Sequence, residues 1–357
     1  MNVEIAERLE NQLITRVGSH RPADVVSWLG AVQAQEYDAA KWALALRMQD
    51  GTVDADIERA FNEGRILRTH VMRPTWHFVT QSDIRWLLEL TAPRVQRVMS
   101  SYNRRLELDL RTLTRGTTVI ERALRGHRYL TRTELGERLQ RAGLRMAGQR
   151  LAHLVMHAEL ERVICSGPRR GKQFTYALLA ERAPRARSLS RDVALATLGQ
   201  RFFRSHGPAT IRDFVWWSGL TTADAKRALD MIRARREDVG GRSNWTYGSA
   251  PRGAMRDGMA HMLPVYDEYL VAYRDRDVVP HGPPTIVSRT RGSVTFQHAL
   301  VVCGQVAGTW RTTRRAGRVL IDVVPLRRLN RLESRALGEA VHRYEQFLSA
   351  GVMLTVG

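Results

Sequence analysis

The chain has 357 residues, 43% of them hydrophobic, and a formal net charge of +20. That is apolar material for two or three ordinary domains, and it excludes disorder as the main state. Only Lys41, Lys172 and Lys226 are lysines among its 56 basic residues; the arginine fork fits phosphate bidentately, so the excess points to nucleic acid before an acidic membrane surface.

The first residues, MNVEIAERLENQL, are amphipathic and acidic and lack the basic start and apolar core of a signal peptide. No apolar run approaches the roughly 20 residues that span a bilayer. Helical patterns from Ile5 to Asn62 lead into RILRTHVMRPTWHFVT, two β-rich runs that turn near Met72 to Pro74. Within the helical part, LGAVQAQEYDAAKWAL holds two uncharged amides, Gln33 and Gln35, one residue apart. In a helix they would face different sides; in an extended segment or turn they share one side and make a small polar site.

From Thr117 to Leu179 the chain reads as three short helices followed by CSGPRRGKQFTYALL, a hairpin around a Gly-Pro-Arg-Arg-Gly turn. Thr131 or Thr133 can cap the second helix, with Glu134 near its start. Helices and a basic-tipped hairpin in this order describe a winged helix. ERAPRARSLS then reads as a linker. The same order returns in RDVALATLGQRFFRSHG, PATIRDFVWWSGL and TTADAKRALDMIRARRED. Beyond Asp257 the chain is strand-rich, and a closing helix runs from Arg327 to about Ser349. The expected fold is mostly α with small β-hairpins (α+β): three tandem winged-helix units at 1–112, 113–183 and 184–357, the last extended by a β-sheet and the C-terminal helix.

Several familiar constellations fail on inspection. GPRRGK around Lys172 has too few residues between its glycines for a phosphate-binding P-loop, and Gln173 stands where Ser or Thr would hold magnesium. It reads as a wing tip carrying Arg169, Arg170 and Lys172. His153 and His157 are one helical turn apart, but no third metal ligand is evident. Cys165 and Cys303 are far apart in apolar contexts and read as two buried thiols of a reducing, cytoplasmic setting. No metal and no cofactor are expected.

Two stretches are richer. LRTHVMRPTWHFV concentrates His70, Arg73, Trp76 and His77, groups that stack on bases and grip phosphate, although Trp76 also suits an ordinary core. PVYDEYLVAYRDRD offers Asp267, Glu268, Tyr269 and Arg274, with Asp267 and Arg274 counted among the candidates for binding substrate and DNA. A carboxylate pair serves acid–base chemistry, yet in so basic a chain it more often holds arginines in place. The hairpin around Arg289 and Arg291 is the candidate groove probe.

LGAVQAQ, RTHVMRPTWHFV, HGPATIRDFVWWSGL, PVYDEYLVAYRDR and CGQVAGTWR, in this order, resemble the AlkZ-like DNA glycosylases, a winged-helix family. The likeness runs over nearly the whole chain. It implies a monomer of three winged helices in a C-shaped arrangement, acting on double-stranded DNA with an alkylated purine and releasing bulky N7-alkylguanine adducts, interstrand crosslinks among them. It further implies that Gln33-Ala34-Gln35 is the catalytic motif, in the double-glutamine form associated with self-resistance. The competing reading is a non-catalytic winged-helix regulator, which binds DNA without doing chemistry to it; an RNA-binding or scaffold protein would leave the glutamines without work.

Overall fold

The computed structural model describes residues 3–15, 19–239, 241–248, 259–274, 287–290, 293–315 and 318–357. After α1 (Val3–Asn11), α2 (Pro22–Leu29) starts on a proline and stops at Gly30, whose φ of 86° is left-handed. There follow β1 (Val32–Gln33), α3 (Tyr37–Ala45), α4 (Asp54–Asn62), β2 (Ile66–His70), β3 (Trp76–Thr80) and the long α5 (Ile84–Arg105). The sheet order is β1-β3-β2.

The next stretch repeats that plan with α6 (Leu110–Leu124), β4 (Leu130–Thr131), α7 (Arg132–Arg141), α8 (Gly148–Leu160), β5 (Ile164–Ser166) and β6 (Thr175–Leu178), in the sheet order β4-β6-β5. Of the two candidate caps, Thr131 is the one used: its side chain accepts from the Glu134 N–H, and Glu134 reaches back to the Thr131 N–H. α9 (Leu179–Arg182) comes next. The supposed linker is anchored, because Arg182 Nη2 donates to the Phe61 and Asn62 carbonyls and Ser188 to Glu89.

α10 (Arg191–Ser205), α11 (Ile211–Ser218), α12 (Thr222–Ile232), β7 (Arg235–Val239) and β8 (Arg242–Thr246) follow. Capping boxes led by Thr210 and Thr221 start α11 and α12. A single bridge, Ala209 to Trp245 of β8, takes the place that β1 and β4 hold in the earlier sheets. The remainder is β9 (Ala260–Leu263), α13 (Glu268–Val271), the hairpin β10 (Val287–Thr290) and β11 (Ser293–Phe296), β12 (His298–Val302), β13 (Gln305–Arg315), β14 (Arg318–Pro325), α14 (Arg331–Leu348) and β15 (Val352–Val356). Strands order as β15-β14-β13-β12-β9, with β14 and β15 parallel. α14 begins later than expected, where Asn330 and Glu333 form a capping box, and Arg327 before it donates to both Glu333 oxygens.

Side chains alternate across the β1-β3-β2 sheet, and both faces are buried. Val32, Ile66 and Phe78 enter a core shared with α2–α4, the five-stranded sheet and α14. Ala31, Leu67 and Val79 enter a second core with α5 and the aromatic side chains Phe202, Phe203, Phe214 and Trp217. A third core holds α6–α8. The strand-rich extension therefore packs on the first repeat, which the boundary at 184 does not reveal.

Asp267, expected among the DNA-facing residues, is fully buried instead. Arg47 Nη1 and Nη2 donate to its two oxygens at 2.8 and 2.7 Å, and its Oδ1 caps α13 through the Tyr269 N–H. Cys165 is buried as expected, but Cys303 is only half-buried, in a turn with φ of 48°. No helix among the described residues is long and apolar enough to cross a membrane.

Removing one partner of a buried ion pair strands the other charge. Arg47→Met should therefore cost about 3–5 kcal/mol in chemical denaturation, whereas Arg47→Met with Asp267→Leu should recover most of that loss. Equal destabilisation in the single and double variants would show that the pair is not what joins α3 to α13.

Candidate active site

β1 is only two residues long, and Gln33 is its last. Val32 and Gln33 pair with Phe78 and His77 of β3, and the Ala34 N–H continues the ladder to the Trp76 carbonyl at 2.7 Å. The backbone is thus extended, as a same-side reading of the glutamines requires. Val32 and Ala34 point into the first core, so the middle residue of the motif turns away from the polar side.

Both amides meet the β2–β3 connection. Arg73 Nη2 donates to Gln33 Oε1 at 3.0 Å, and the Trp76 N–H reaches Gln35 Oε1 at 3.4 Å. Gln33 is buried and Gln35 half-buried, so Gln35 is the more accessible of the two. An amide oxygen has two lone pairs, and the one on Gln33 not used by Arg73 is left to accept from a ligand or water.

Behind Gln33 sits Glu268, fully buried at the start of α13. Its Oε1 accepts the Gln33 N–H at 2.8 Å, its Oε2 accepts Trp217 Nε1–H at 2.9 Å, and His206 Nε2 lies 3.5 Å from Oε2. Burial opposes the charge, but His206 and the Gln33 N–H outweigh it and hold the carboxyl at about 2. His77, opposite Gln33, is driven the other way: burial first, then the Arg73 charge, lower it to about 3, so the ring is neutral. Its Nδ1 faces the Thr75 carbonyl at 3.0 Å, which makes Nε2 an acceptor with no hydrogen-bond partner among the described residues.

The turn that carries Arg73 is locked by a contact from α11. Met72 adopts φ of 64°, and Gly219 ends α11 at φ of 70°. A methyl group added at Gly219 would lie 2.2 Å from the Met72 oxygen.

On the other side of the hairpin, the Trp76 indole lies between the His70 ring, 4.3 Å away, and the Arg68 guanidinium, 4.2 Å from its centre. His70 Nδ1 is held by the buried Glu159 of α8. Arg68 donates from Nε to the Ala34 carbonyl at 2.9 Å and also covers Phe174. Burial lowers its pKa to about 10, still charged at neutral pH. Glu268 was named from sequence only as one of a carboxylate pair, more often structural than catalytic, and Arg68 was not expected at all; the signal for Arg68 was its place two residues before His70 on the same strand face.

The remaining candidates scatter. Arg169, expected at the wing tip, instead lies over Tyr37 and Phe174 at 4.8 and 4.6 Å, with Nε 3.8 Å from Glu58. Arg170 is exposed but bonded to Glu134 and to the Tyr129 carbonyl; Lys172 and Arg274 are exposed. His153 bonds Asn103. Arg291 lies outside the described residues, and of Arg289 only the strand position, in β10, is described. No group of three metal-ligating side chains occurs among the described residues.

A family profile described as "DNA glycosylase AlkZ-like" matches residues 26–347, nearly the whole chain and the whole of this constellation. The chain belongs to the AlkZ-like DNA glycosylase family. It is similar to an interstrand DNA cross-link repair glycosylase of Streptomyces sahachiroi, 27% identical over 326 residues that cover 85% of this chain and 86% of that one. The solved structure of the Streptomyces sahachiroi DNA glycosylase AlkZ shares the fold, with a TM-score of 0.80 at 22% identity over 99% of this chain and 98% of that one. As an AlkZ-like glycosylase the protein is an enzyme that acts on DNA, and a regulator without catalysis is set aside.

Glu268 can be separated into charge and hydrogen bonding. Glu268→Gln keeps an acceptor for the Gln33 N–H but removes the anion; single-turnover base release should slow about tenfold or more with duplex affinity unchanged. Glu268→Ala leaves two buried donors unmatched and should also lose about 1–3 kcal/mol of stability for each. Wild-type release by both variants would reduce Glu268 to a bystander.

Proposed function

We propose that this glycosylase hydrolyses the N-glycosidic bond of bulky, cationic N7-alkylguanines in duplex DNA, with Gln33 and Gln35 as the catalytic pair, in repair or self-resistance against a genotoxic natural product. The observation that carries this reading is the pair of amides fixed at the β2–β3 turn, with a buried anion behind one of them. The relative's printed role in interstrand crosslink repair supports extending the substrate to crosslinks.

The chemistry suits amides. Alkylation at N7 leaves the base cationic and already a good leaving group, so strong acid catalysis at the base is unnecessary. What remains is to hold one water beneath C1′ and to stabilise positive charge growing on the sugar. An amide oxygen does both without needing a particular protonation state. Glutamine is too weak a base to deprotonate water early, which suffices when water attacks a nearly formed cation. It fails for an unmodified base, so selectivity for lesions follows from the chemistry.

We assign the surrounding residues accordingly. Arg73 orients Gln33 and lies near the sugar-phosphate strand; His70 and Trp76 line the lesion side; Arg170, Lys172, Arg274 and the β10–β11 hairpin approach the duplex. The three repeats of helix, short strand, two helices and hairpin, each with the short strand on the second hairpin strand, support reading the chain as three tandem winged helices. We take the working form to be a monomer in a C-shaped arrangement that needs no metal or cofactor.

Gln33→Ala and Gln35→Ala should each slow base release by about 10²-fold or more, with duplex affinity nearly constant because neither residue is charged. Gln35→Asp should keep activity, since it sets an anion and a base under the sugar. His77 at about 3 and Glu268 at about 2 both keep one form at neutral pH, so the wild-type rate should be flat from about pH 6 to 8. Full activity in the double alanine variant would sink the assignment.

Binding to plain duplex should weaken with salt at a log–log slope of roughly −0.9 per neutralised phosphate. Arg170→Ala with Lys172→Ala should flatten that slope for all sequences alike. Arg169→Ala, in contrast, should lower the thermal midpoint and leave the slope unchanged. A flattened slope for Arg169→Ala alone would return that residue to the DNA interface.

A further inference from the structure

On the face of the β2–β3 hairpin opposite the one that Gln33 and His77 share lies a cavity of about 550 Å³, between the hairpin, α5 and α8. Trp76 belongs to both: its N–H reaches Gln35, and its side chain lines the cavity next to His70. The floor is apolar and adaptable, made by Met99, Met156 and Tyr176. The rim is cationic and wet. Arg105 and Arg132 are exposed there, with Arg105 stacked 4.5 Å over the half-exposed ring of Tyr102.

We propose that this cavity receives the apolar, aromatic-bearing arm of a bulky N7-alkylguanine while the glutamines act at C1′ of the same nucleotide. The inference rests on the N7-alkylguanine reading above and deepens it. N7 opens on the major-groove edge of the purine, away from the sugar. An arm attached there needs room alongside the site of bond cleavage rather than within it, and the space on the other face of the hairpin, which meets the glutamine site at Trp76, lies alongside it. Its volume falls in the range of sites for small organic ligands. Sulfur and aromatic groups on the floor match an aromatic body, and the arginines on the rim match the phosphates flanking the lesion. His70 fits the arrangement: Glu159 fixes its ring, so it stands as a rigid wall.

The cavity walls are then specificity-determining, and filling them should discriminate between lesions by size. The test uses one duplex sequence carrying either N7-methylguanine or an N7-guanine adduct whose arm is two linked phenyl rings. Met156→Trp fills the floor; Ala152→Phe, at a half-buried position of α8 on the same wall, does so without touching the central core. In single-turnover assays the ratio of bulky to methyl release should fall about tenfold or more in both variants, the usual scale for losing a matched apolar pocket. The affinity for the bulky-adduct duplex relative to plain duplex should fall in parallel. Thermal midpoints within a few degrees of wild type confirm that the variants fold.

A ratio and a relative affinity both unchanged in a folded variant would overturn the cavity assignment. Equal slowing of both adducts would overturn it too, by showing damage to the glutamines. If the wild-type protein released neither base, the substrate reading would fail on its own. The relative affinity for the bulky duplex would still decide whether the cavity takes the arm.

Discussion

A strand of two residues at the edge of a buried sheet has a backbone donor that water cannot reach, and that donor needs an acceptor. Here the acceptor is a carboxylate, Glu268, which arrives from the far end of the chain. Its second oxygen takes the indole N–H of Trp217, so one anion joins the glutamine strand, α11 and α13. Each of these is poorly determined alone: β1 is short, α13 is a single turn, and Trp217 is a bulky core residue with a polar edge. Bound to one carboxylate they define one another. The partner ion pair a residue earlier, Arg47 with Asp267, anchors the same turn to α3, so adjacent acidic residues serve two separate attachments.

The electrostatic effect reaches the glutamines. A charge held in a site closed to water keeps more of its field than one on the surface. Glu268 keeps its charge because donors surround it, and His77 stays neutral because burial and then the Arg73 charge oppose its proton. Glu268 and His77 are thereby each fixed in one form at neutral pH, and the amides have a constant background from both.

Much of this was legible in the residues. The spacing of threonines and acids marked the helix starts, and Gly-Pro-Arg-Arg-Gly marked a hairpin, since caps and turns are decided locally. The pair of amides one residue apart implied an extended stretch, and the backbone there is extended. What was not legible depends on distant packing. Asp267 and Glu268 look alike side by side, yet one holds an arginine and the other the glutamine strand, as only their partners decide. The strand-rich extension follows the third repeat in sequence but shares a core with the first. The arginine count likewise overstated the DNA-facing charge, because Arg8, Arg47, Arg68, Arg169 and Arg182 are taken up by carbonyls, carboxylates and rings inside the fold.

Gly219 has no side chain, and its backbone lies against the Met72 carbonyl at the turn that presents Arg73. Its influence on that turn comes from the atoms it lacks. Alanine there would push on the turn from behind and tilt the guanidinium that orients Gln33, without removing any group that touches DNA. A substitution map of this enzyme read for chemistry alone would pass over the position, while one read for shape would set it beside the glutamines.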